Sequence, residues 1–496
     1  MSFIQNFPFF SIIISLFSGS VSSMLNAKAA RVLNQVVIIT VTILSAATLI
    51  YTLQTGESFV YKMGHFAAPF GNEIRAGILE SVLALFVCLI MLLALWGGQK
   101  HLNTEIEPSK LHFYYVLTNM LLCSLLALIY TNDLFTAYVF VEINTISACG
   151  LIMIRQTGRT IEAAVRYMIM SLLGSGLLLL GLCMLYDLTG HLLMSYIRQS
   201  ITYLYSNGQY QVPLTITIAL ITVGLAIKSA LFPFHTWVAD AYGYSTGSSA
   251  AILSSFVSKG YIFLLIKIIY RVIGFEVYDS SLITNVVFVF GLAGMIFGSL
   301  SAIKEKDIRR MIAFSSVAQI GYIYMGIGMG TKAGMIAGVF HIFSHGVTKS
   351  LMFIAGVGLT DVSGQSKLFF DLTGSAYRNK IAGIAFATGS LSMVGIPLFS
   401  GFISKILFAE AAVQSGRKML PALIVLAVST ILNAVYFMKT VIRIYTPVQS
   451  EYEVNTIGKQ RLFAVAGGLL ILINLVLGCM STFLVDFIRK GLEMLA

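Results

Sequence analysis

The sequence carries little charge for its length. Only 11% of its 496 residues are Asp, Glu, Lys or Arg, whereas about 25% is usual in soluble globular domains. Apolar stretches of about 20 residues, the length that crosses a bilayer, follow one another along the chain, and no polar linker divides them. These features exclude a soluble enzyme, a nucleic-acid-binding protein and a disordered chain. They predict an all-α polytopic membrane protein.

Signatures of cofactor binding are also missing. The five cysteines lie inside apolar stretches and form no C-x-x-C pair, which argues against iron–sulfur ligation. The sequence has no G-x-G-x-x-G motif that opens a helix after a strand, no Walker loop and no H-E-x-x-H motif. We therefore expect no cofactor, metal or enzyme active site within this chain.

Fourteen apolar segments are long enough to be membrane spans. They cover approximately residues 7–24, 33–54, 76–97, 111–131, 133–155, 162–187, 212–238, 248–271, 283–303, 308–330, 333–358, 381–412, 419–446 and 462–487. Because fourteen is an even number, both termini are predicted on the same side of the membrane.

Prolines interrupt the seventh and the twelfth of these segments. Pro233 and Pro397 each remove a backbone hydrogen bond, and the freed carbonyl groups need other partners at membrane depth. Paired broken helices are typical of transporters that are built from inverted repeats. We therefore predict three N-terminal helices, two five-helix repeats of opposite orientation and a last helix. Their boundaries are 1–110, 111–272 (helices 4–8), 283–446 (helices 9–13) and 447–496.

The net charge of +11 is explained by topology and by contact with anionic lipid rather than by nucleic acid. Of the 32 Lys and Arg residues, about 17 lie in loops after odd-numbered segments. About 9 lie in loops after even-numbered segments or at the C-terminus. Since basic loops face the cytoplasm, both termini are predicted on the outer face.

The apolar segments contain a series of ionisable residues. A charged side chain at the bilayer centre costs about 2.5–3.5 kcal/mol on insertion scales, so a whole series indicates function. The residues are Glu80, Glu142, Arg166, Lys228, His235, Lys259, Lys267, His341, His345, Lys349 and Lys405.

The spacing of these residues predicts a proton relay. His341, His345 and Lys349 are spaced at i, i+4 and i+8, so they share one helix face about 6 Å apart and can pass a proton through water. A lysine buried at low dielectric releases its proton more readily than a lysine in water, and a nearby carboxylate reverses this effect. Movement of Glu142 relative to Lys228 would therefore switch that lysine between holding and releasing a proton.

Each of these groups could instead have a structural role. Lys267 and Arg166 are long enough to reach the membrane interface with their charged ends, and Glu80 lies near the start of its segment. His235 can satisfy backbone groups that Pro233 frees. The remaining residues can form a static buried ion pair or helix-packing contacts.

Six stretches of the sequence resemble one family. They are F-V-E-I-N-T around Glu142, K-S-A-L-F-P-F-H-T-W-V-A-D-A-Y at 228–242, D-I-R-R-M-I-A-F-S-S-V-A-Q-I-G-Y at 307–322, H-I-F-S-H-G-V-T-K-S-L-M-F-I-A-G at 341–356, G-I-P-L-F-S-G-F-I-S-K at 395–405 and L-N-A-V-Y-F at 432–437. In type and order they resemble the antiporter-like membrane subunits of respiratory complex I, of Mrp sodium/proton antiporters and of membrane-bound energy-converting hydrogenases. The resemblance covers roughly residues 110–445.

The resemblance implies roles for these residues. Glu142 and Lys228 would be the gating ion pair. Lys259 and the face from His341 through His345 to Lys349 would form a lateral relay along the membrane midplane, and Lys405 would be the terminal proton site. It also implies fourteen helices in two inverted five-helix repeats with broken seventh and twelfth helices.

The sequence departs from the family pattern in a few places. Y-G-Y-S-T-G-S-S-A-A at 242–251 replaces a proline-containing turn, and Ala239 replaces the usual proline before Asp240. A single proline, Pro397, stands where two are usual. Arg166 occupies a position where lysine is common, and because arginine does not deprotonate, we expect it to tune Glu142 rather than to relay protons.

Lysine at position 405 and the end of the chain just after the fourteenth segment favour the Mrp D-type or hydrogenase-associated branch, with an N-type complex I subunit as an alternative. We predict a proton-translocating subunit of a multisubunit complex in the plasma (inner) membrane of a prokaryote, coupled to redox chemistry or to cation exchange. Its expected partners are other antiporter-like and small multi-span membrane subunits, which would carry any iron–sulfur cluster or flavin. The predicted transported ion is the proton, and transport of sodium is left open. Two competing hypotheses are a stand-alone proton-coupled solute transporter and a scaffold subunit with an inactive channel.

Overall fold

The computed structural model describes residues 3–66, 71–447 and 461–495, and these residues are mostly helical. The first third contains α1 (Phe7–Ser22), α2 (Ala27–Thr55), α3 (Ile78–Glu105), α4 (Leu111–Tyr130), α5 (Leu134–Met153), α6 (Gly158–Thr189) and α7 (Met194–Ser206). Short 3-10 helices lie at Phe3–Asn6, Met63–His65, Pro108–Lys110 and Gly416–Lys418.

The middle of the chain contains α8 (Gln211–Lys228), α9 (Val238–Tyr244), α10 (Gly247–Ile252), α11 (Ser258–Ile268), α12 (Phe275–Ser280), α13 (Ile283–Lys304) and α14 (Ile308–Gly328). Two π-helical turns, Leu253–Val257 and Ile269–Ile273, flank α11. The last third contains α15 (Lys332–Asp361), α16 (Ser375–Arg378), α17 (Lys380–Val394), α18 (Ser400–Val413), α19 (Met419–Ile444), α20 (Arg461–Cys479) and α21 (Ser481–Leu495).

Thirteen helical segments of the described residues are long and apolar enough to cross a membrane. The predicted twelfth segment explains the difference from fourteen, because a break at 395–399 divides it into α17 and α18. The seventh segment is broken at 229–237, between α8 and α9. The prediction of an all-α polytopic membrane protein is confirmed, whereas the division into inverted repeats stays a prediction.

The membrane helices differ in how much of their surface other helices cover. α14, α15 and the continuous stretch Gly247–Ile273 are buried along nearly their whole length, whereas about a third of the residues of α1, α2, α19 and α20 are buried. Lipid satisfies no polar group, so polar side chains at membrane depth belong in the protein interior. Lys259, His345 and Lys349 lie on the central helices and are buried.

Several membrane helices begin at a side chain that caps them. Asp133 accepts a hydrogen bond from the backbone N–H of Thr136 at the start of α5. Thr246 does the same for Ser249 at the start of α10, within the stretch that departs from the family pattern. These caps replace hydrogen bonds that the first turn of a helix lacks.

Glycines allow α6 and α8 to approach each other closely. A Cβ atom at Gly224 would lie 2.7 Å from the Gly174 carbonyl oxygen, and a Cβ atom at Gly174 would lie 2.8 Å from the Gly224 carbonyl oxygen. Small residues permit such backbone contact between membrane helices. The contact lies one turn before Lys228, so it fixes the position of this lysine relative to α6.

The sequence did not indicate four elements, which are two strands, α7 and α21. Strands β1 (Phe59–Lys62) and β2 (Glu73–Ala76) form an antiparallel pair in which Phe59 faces Ala76. α7 buries only the side of Met194, Ile197 and Ile201. The last predicted segment, 462–487, is wrong at its end, because the chain divides at Met480 into α20 and the amphipathic α21.

Candidate functional site

Glu142 and Lys228 form an ion pair at the break in the seventh membrane segment. The Lys228 Nζ lies 3.6 Å from Glu142 Oε1, and the Lys228 side chain is 0% exposed. Lys228 is the last residue of α8, and Ala230 beyond it has a positive φ of 67°. The lysine is therefore carried by the end of a broken helix, next to backbone in a conformation that L-residues rarely adopt.

Each partner of this ion pair has a second hydrogen-bond partner. Lys228 Nζ donates to Thr145 Oγ1 at 2.7 Å, and the Ser175 hydroxyl donates to Glu142 Oε1. The Tyr261 ring lies 5.4 Å from Lys228 Nζ, and its hydroxyl donates to Asn144 Oδ1 at 2.9 Å. The ion pair can open without leaving either charged group bare, because hydroxyl groups hold both.

The predicted face of α15 is present. The rings of His341 and His345 stack with centroids 5.7 Å apart and planes inclined by 8°. His341 Nδ1 is 2.7 Å from Ser404 Oγ on α18. Neither ring nitrogen of His345 has a hydrogen-bond partner among the described residues. Lys349, one turn further, donates to the Ile312 carbonyl oxygen at 2.9 Å and to the Ser315 hydroxyl on α14.

The remaining relay lysines donate to backbone carbonyl groups. Lys259 donates to the Ser254 carbonyl in the π-helical turn before α11. Lys405 on α18 donates to the carbonyl of Val394, the last residue of α17. Within the described residues, neither lysine has a carboxylate within 4 Å. Both acceptors lie where a helix is distorted or ends, which is where carbonyl oxygens lack helical partners.

Three accessory residues, Pro233, Pro397 and His235, belong to the two broken segments. Pro233 and Pro397 lie in the two breaks, and both are exposed. His235 stacks on Phe232, with ring centroids 5.4 Å apart, and its Nδ1 has no hydrogen-bond partner in the described part of the chain. The prediction that His235 belongs to the broken segment therefore matches its position, while its role stays a prediction.

Arg166 and Asp240 belong to an ionic network on the loop face opposite the N-terminus. Arg166 is 3.0 Å from Asp240 and 2.6 Å from Glu162, and its side chain is 55% exposed. Asp240 also binds Arg310, which pairs with Glu305 at 3.1 Å. The partners of Arg166 in the structure are thus Asp240 and Glu162 rather than Glu142, so a direct effect of Arg166 on Glu142 is not supported.

A half-buried loop lysine borders the same network. Lys367 donates to the Gly243 carbonyl at 2.8 Å and lies 5.9 Å from the Tyr244 ring. Burial, together with the nearby Arg309, lowers the pKa of Lys367 to about 7. This group titrates near neutral pH although it lies outside the membrane spans.

Lys267 and Glu80 are both inside the protein. Lys267 is fully buried and donates to the carbonyl groups of Ile129 and Thr131 at the end of α4, so its charged end is not exposed. Glu80 lies in the first turn of α3, is fully buried and pairs with Arg75. Burial at both positions depends on β2 and α21, which the sequence pattern did not reveal.

No group of three or more His, Cys, Asp or Glu residues in the described ranges could hold a metal ion. The five cysteines are free.

Comparison with known proteins identifies a family for this chain. Residues 131–432 match the family described as NADH:quinone oxidoreductase/Mrp antiporter, TM. The chain belongs to this family. The matched part includes every residue of the proposed relay, from Glu142 to Lys405.

Curated relatives in this family come from both branches considered above. The chain is 33% identical over 405 residues to NADH-quinone oxidoreductase subunit N of Desulforudis audaxviator, covering 81% of this chain and 78% of the relative. It is 29% identical over 394 residues to mnhD2 of Staphylococcus epidermidis, which is named as a putative antiporter subunit, covering 79% and 76%.

Solved structures share the fold. One is the membrane-bound sulfane sulfur reductase, an archaeal respiratory membrane complex, with a TM-score of 0.88, 24% identity and coverage of 99% of this chain and 97% of that chain. Another is the Mrp complex from Dietzia sp. DQ12-45-1b, with a TM-score of 0.86, 23% identity and coverage of 100% and 98%.

Proposed function

We propose that this chain is a proton-translocating, antiporter-like subunit of a multisubunit membrane complex. The observation that carries the proposal is the ion pair between the half-buried Glu142 and the buried Lys228 at the end of a broken helix. Titratable residues inside a membrane are costly and usually functional. Its relatives are named as subunits of NADH-quinone oxidoreductase and of an antiporter, which supports the same class of function.

The ion pair is the switch of the proposed mechanism. While Glu142 is close, the ammonium of Lys228 is stabilised and keeps its proton. When Glu142 moves away, the hydrogen bond to Thr145 remains, but the low dielectric around Lys228 disfavours the uncompensated charge, and the proton leaves. A separation of 3.6 Å is longer than the usual charge-assisted hydrogen bond of about 2.8 Å, so a small movement is enough to open it.

The relay continues through the central helices. Protons released by Lys228 pass to Lys259 and then to the α15 face of His341, His345 and Lys349, and Lys405 exchanges them with one face of the membrane. His345 has no protein partner for either nitrogen in the described residues, and buried polar groups need one. Water bridging His345 to the neighbouring lysines is therefore part of this proposal.

The orientation and the partners extend the proposal. Both termini would lie on the outer face of a prokaryotic plasma membrane, which the distribution of basic loops supports. Neighbouring antiporter-like and small multi-span subunits would complete the complex, and any flavin or iron–sulfur cluster would lie on a partner. Opening of the ion pair would be driven by charge movement in such a partner, through redox chemistry or cation exchange.

The test uses the intact complex in sealed vesicles. Lys228→Ala and Glu142→Ala are expected to abolish proton translocation, measured by a pH-sensitive dye. Lys439→Ala, a lysine at the surface of α19 outside the relay, serves as the matched control and should transport normally. Retained translocation in both relay variants would refute the proposal.

Co-purification distinguishes the kinds of complex to which the chain could belong. A tag on this chain should recover several membrane subunits. Redox partners would indicate a respiratory or hydrogenase-like complex, and only small multi-span partners would indicate a Mrp-type antiporter. Recovery of a lone chain that takes up an organic solute would favour the solute transporter instead.

A further inference from the structure

A second buried ionic cluster lies on the face of the protein where the termini lie. Its members are Glu73, Arg75, Glu80, Lys267 and Arg271. Lys267 and Glu80 are fully buried, and Arg75 is 1% exposed. None of them belongs to the relay described above, and buried charges in a membrane protein call for a functional explanation.

The backbone around the end of α4 brings these residues together. Lys267 donates to the carbonyl groups of Ile129 and Thr131. Thr131 forms a β-bridge with Ile74, the neighbour of Arg75 in β2. The charged neighbours of Lys267 are Glu80, Arg75 and Arg271. The cluster is thus one site rather than a set of separate contacts.

The arginines of the cluster are already neutralised. Arg75 pairs directly with Glu80. Arg271 reaches Glu73 through Asn132, whose Oδ1 accepts from Arg271 Nε at 3.1 Å and whose Nδ2 donates to Glu73 Oε2 at 3.1 Å. Two acids and two arginines therefore balance each other.

Lys267 is the fifth charge and has no acid of its own. Within the described residues, no carboxylate lies within 4 Å of its ammonium group. Its hydrogen-bond partners there are the two carbonyl groups. The cluster gains one net positive charge when Lys267 binds a proton and is balanced when Lys267 is neutral. Lys259 and Lys405 have the same kind of partner.

The position of Lys267 connects the relay with this face. It lies eight residues after Lys259 on α11, which is about 12 Å along a helix. α21 covers the other side, since Arg75 donates to the Met494 carbonyl oxygen and Gly491 packs against Leu79. The cluster therefore lies between the buried relay and an amphipathic helix at the surface.

We propose that Lys267 is a further proton-carrying residue, through which protons pass between Lys259 and the face that bears the termini. The Arg75–Glu80 pair and α21 hold this site closed to bulk water. The inference rests on the proposed function, since it adds a branch to the same relay. Only a proton is exchanged, so no bond other than N–H forms or breaks.

Two substitutions separate proton transfer from a static role. Lys267→Gln keeps donors for the two carbonyl groups but has no titratable group, and Lys267→Arg keeps the charge but does not release its proton. Both are expected to lower proton translocation by the intact complex at least about tenfold. Lys490→Gln, an exposed lysine on α21, should leave it unchanged. Normal transport by either Lys267 variant would overturn the proposal.

A further variant tests the proposal if the two Lys267 variants do not assemble into the complex. In Glu80→Gln the charge of Arg75 is no longer neutralised, so the proton on Lys267 is held less firmly. The pH of half-maximal transport should then shift to lower values, and an unchanged pH profile would overturn the proposal. Lys228→Ala is measured in parallel. Loss of transport there with normal transport in the Lys267 variants refutes this inference alone, whereas retained transport in both Lys228→Ala and Glu142→Ala refutes the proposed function.

Discussion

Replacement of Glu142 by glutamine tests the ion pair most directly. Glutamine has nearly the same size and keeps an oxygen that accepts the hydrogen bond from Ser175, so the local packing is retained. The negative charge 3.6 Å from Lys228 Nζ is lost. The Lys228 ammonium group then keeps its hydrogen bond to Thr145 but loses the negative charge of its partner.

The magnitude follows from this separation. Two unit charges about 4 Å apart attract each other by about 4 kcal/mol at an effective dielectric constant of 20. The Glu142 side chain is 26% exposed, and solvent reduces the value, so we use about 2 kcal/mol. This corresponds to a roughly 30-fold weaker hold on the charged lysine. A relay that needs Lys228 to be reloaded in every cycle should slow by at least about tenfold.

The assay compares two matched glutamate variants of the complete complex in sealed vesicles. Glu142→Gln is expected to slow proton translocation, and Glu57→Gln, which changes an exposed loop carboxylate, is expected to have no effect. The amount of assembled complex is measured for each variant, so that a folding defect is not mistaken for a transport defect.

A double substitution shows whether the two residues act as a unit. If they do, Glu142→Gln combined with Lys228→Met transports no more slowly than Lys228→Met alone, because each single change already disables the pair. Transport by Glu142→Gln at the rate of Glu57→Gln would refute the reasoning, since the countercharge would then have no part in the cycle.

Three further changes test other parts of the structure. Lys405→Arg keeps a cation at the Val394 carbonyl but cannot release a proton, so transport should be lost in a complex that assembles normally. Gly224→Val places side-chain atoms against the Gly174 carbonyl oxygen, which lies 2.7 Å from the position that a Cβ atom would take. This change should destabilise the α6–α8 contact by about 1–3 kcal/mol, seen as a lower unfolding temperature. Lys367 has a pKa of about 7 in the folded protein and about 10.4 when unfolded, so the unfolded state binds more protons between these values and stability rises with pH across this window. Lys367→Gln should therefore be more stable than the parent at pH 7, with the difference vanishing toward pH 10, and a constant difference would contradict the pKa assignment.

The positions of the breaks could be predicted because proline acts locally. Pro233 and Pro397 remove hydrogen bonds wherever the rest of the chain lies, and both lie in irregular segments of the structure. The stacking of His341 on His345 could also be predicted, since residues four apart on a helix are neighbours. These features depend on spacing within one element.

The burial of Lys267 could not be predicted in the same way. Distance from the end of an apolar segment suggests that a lysine reaches the interface, but this argument ignores what covers that interface. Here β2 supplies Arg75, the end of α4 supplies the carbonyl acceptors, and α21 closes the cluster from outside. The contacts of Lys267 with α4 and of Arg75 with α21 join residues more than 100 positions apart, and a hydropathy pattern contains no information about such pairs.

The structure also explains why irregular helices and ionisable residues occur together in this protein. The carbonyl groups that accept from Lys259, Lys405 and Lys267 lie in a π-helical turn, at the end of α17 and at the end of α4. Carbonyl oxygens at the C-terminal end of a helix lack a helical partner and bear part of the negative end of the helix dipole, and a π-helical turn interrupts the regular hydrogen-bond pattern. They stabilise an ammonium group without the full charge of a carboxylate, so the neutral amine is not left beside a bare anion. A lysine held in this way can exist in both protonation states, whereas a lysine in a tight buried ion pair is held charged. Lys349 differs, because its acceptor, Ile312, lies within α14, and the hydroxyl of Ser315 supplements that carbonyl. Distorted or ending helices thus supply the acceptors of three of these four lysines.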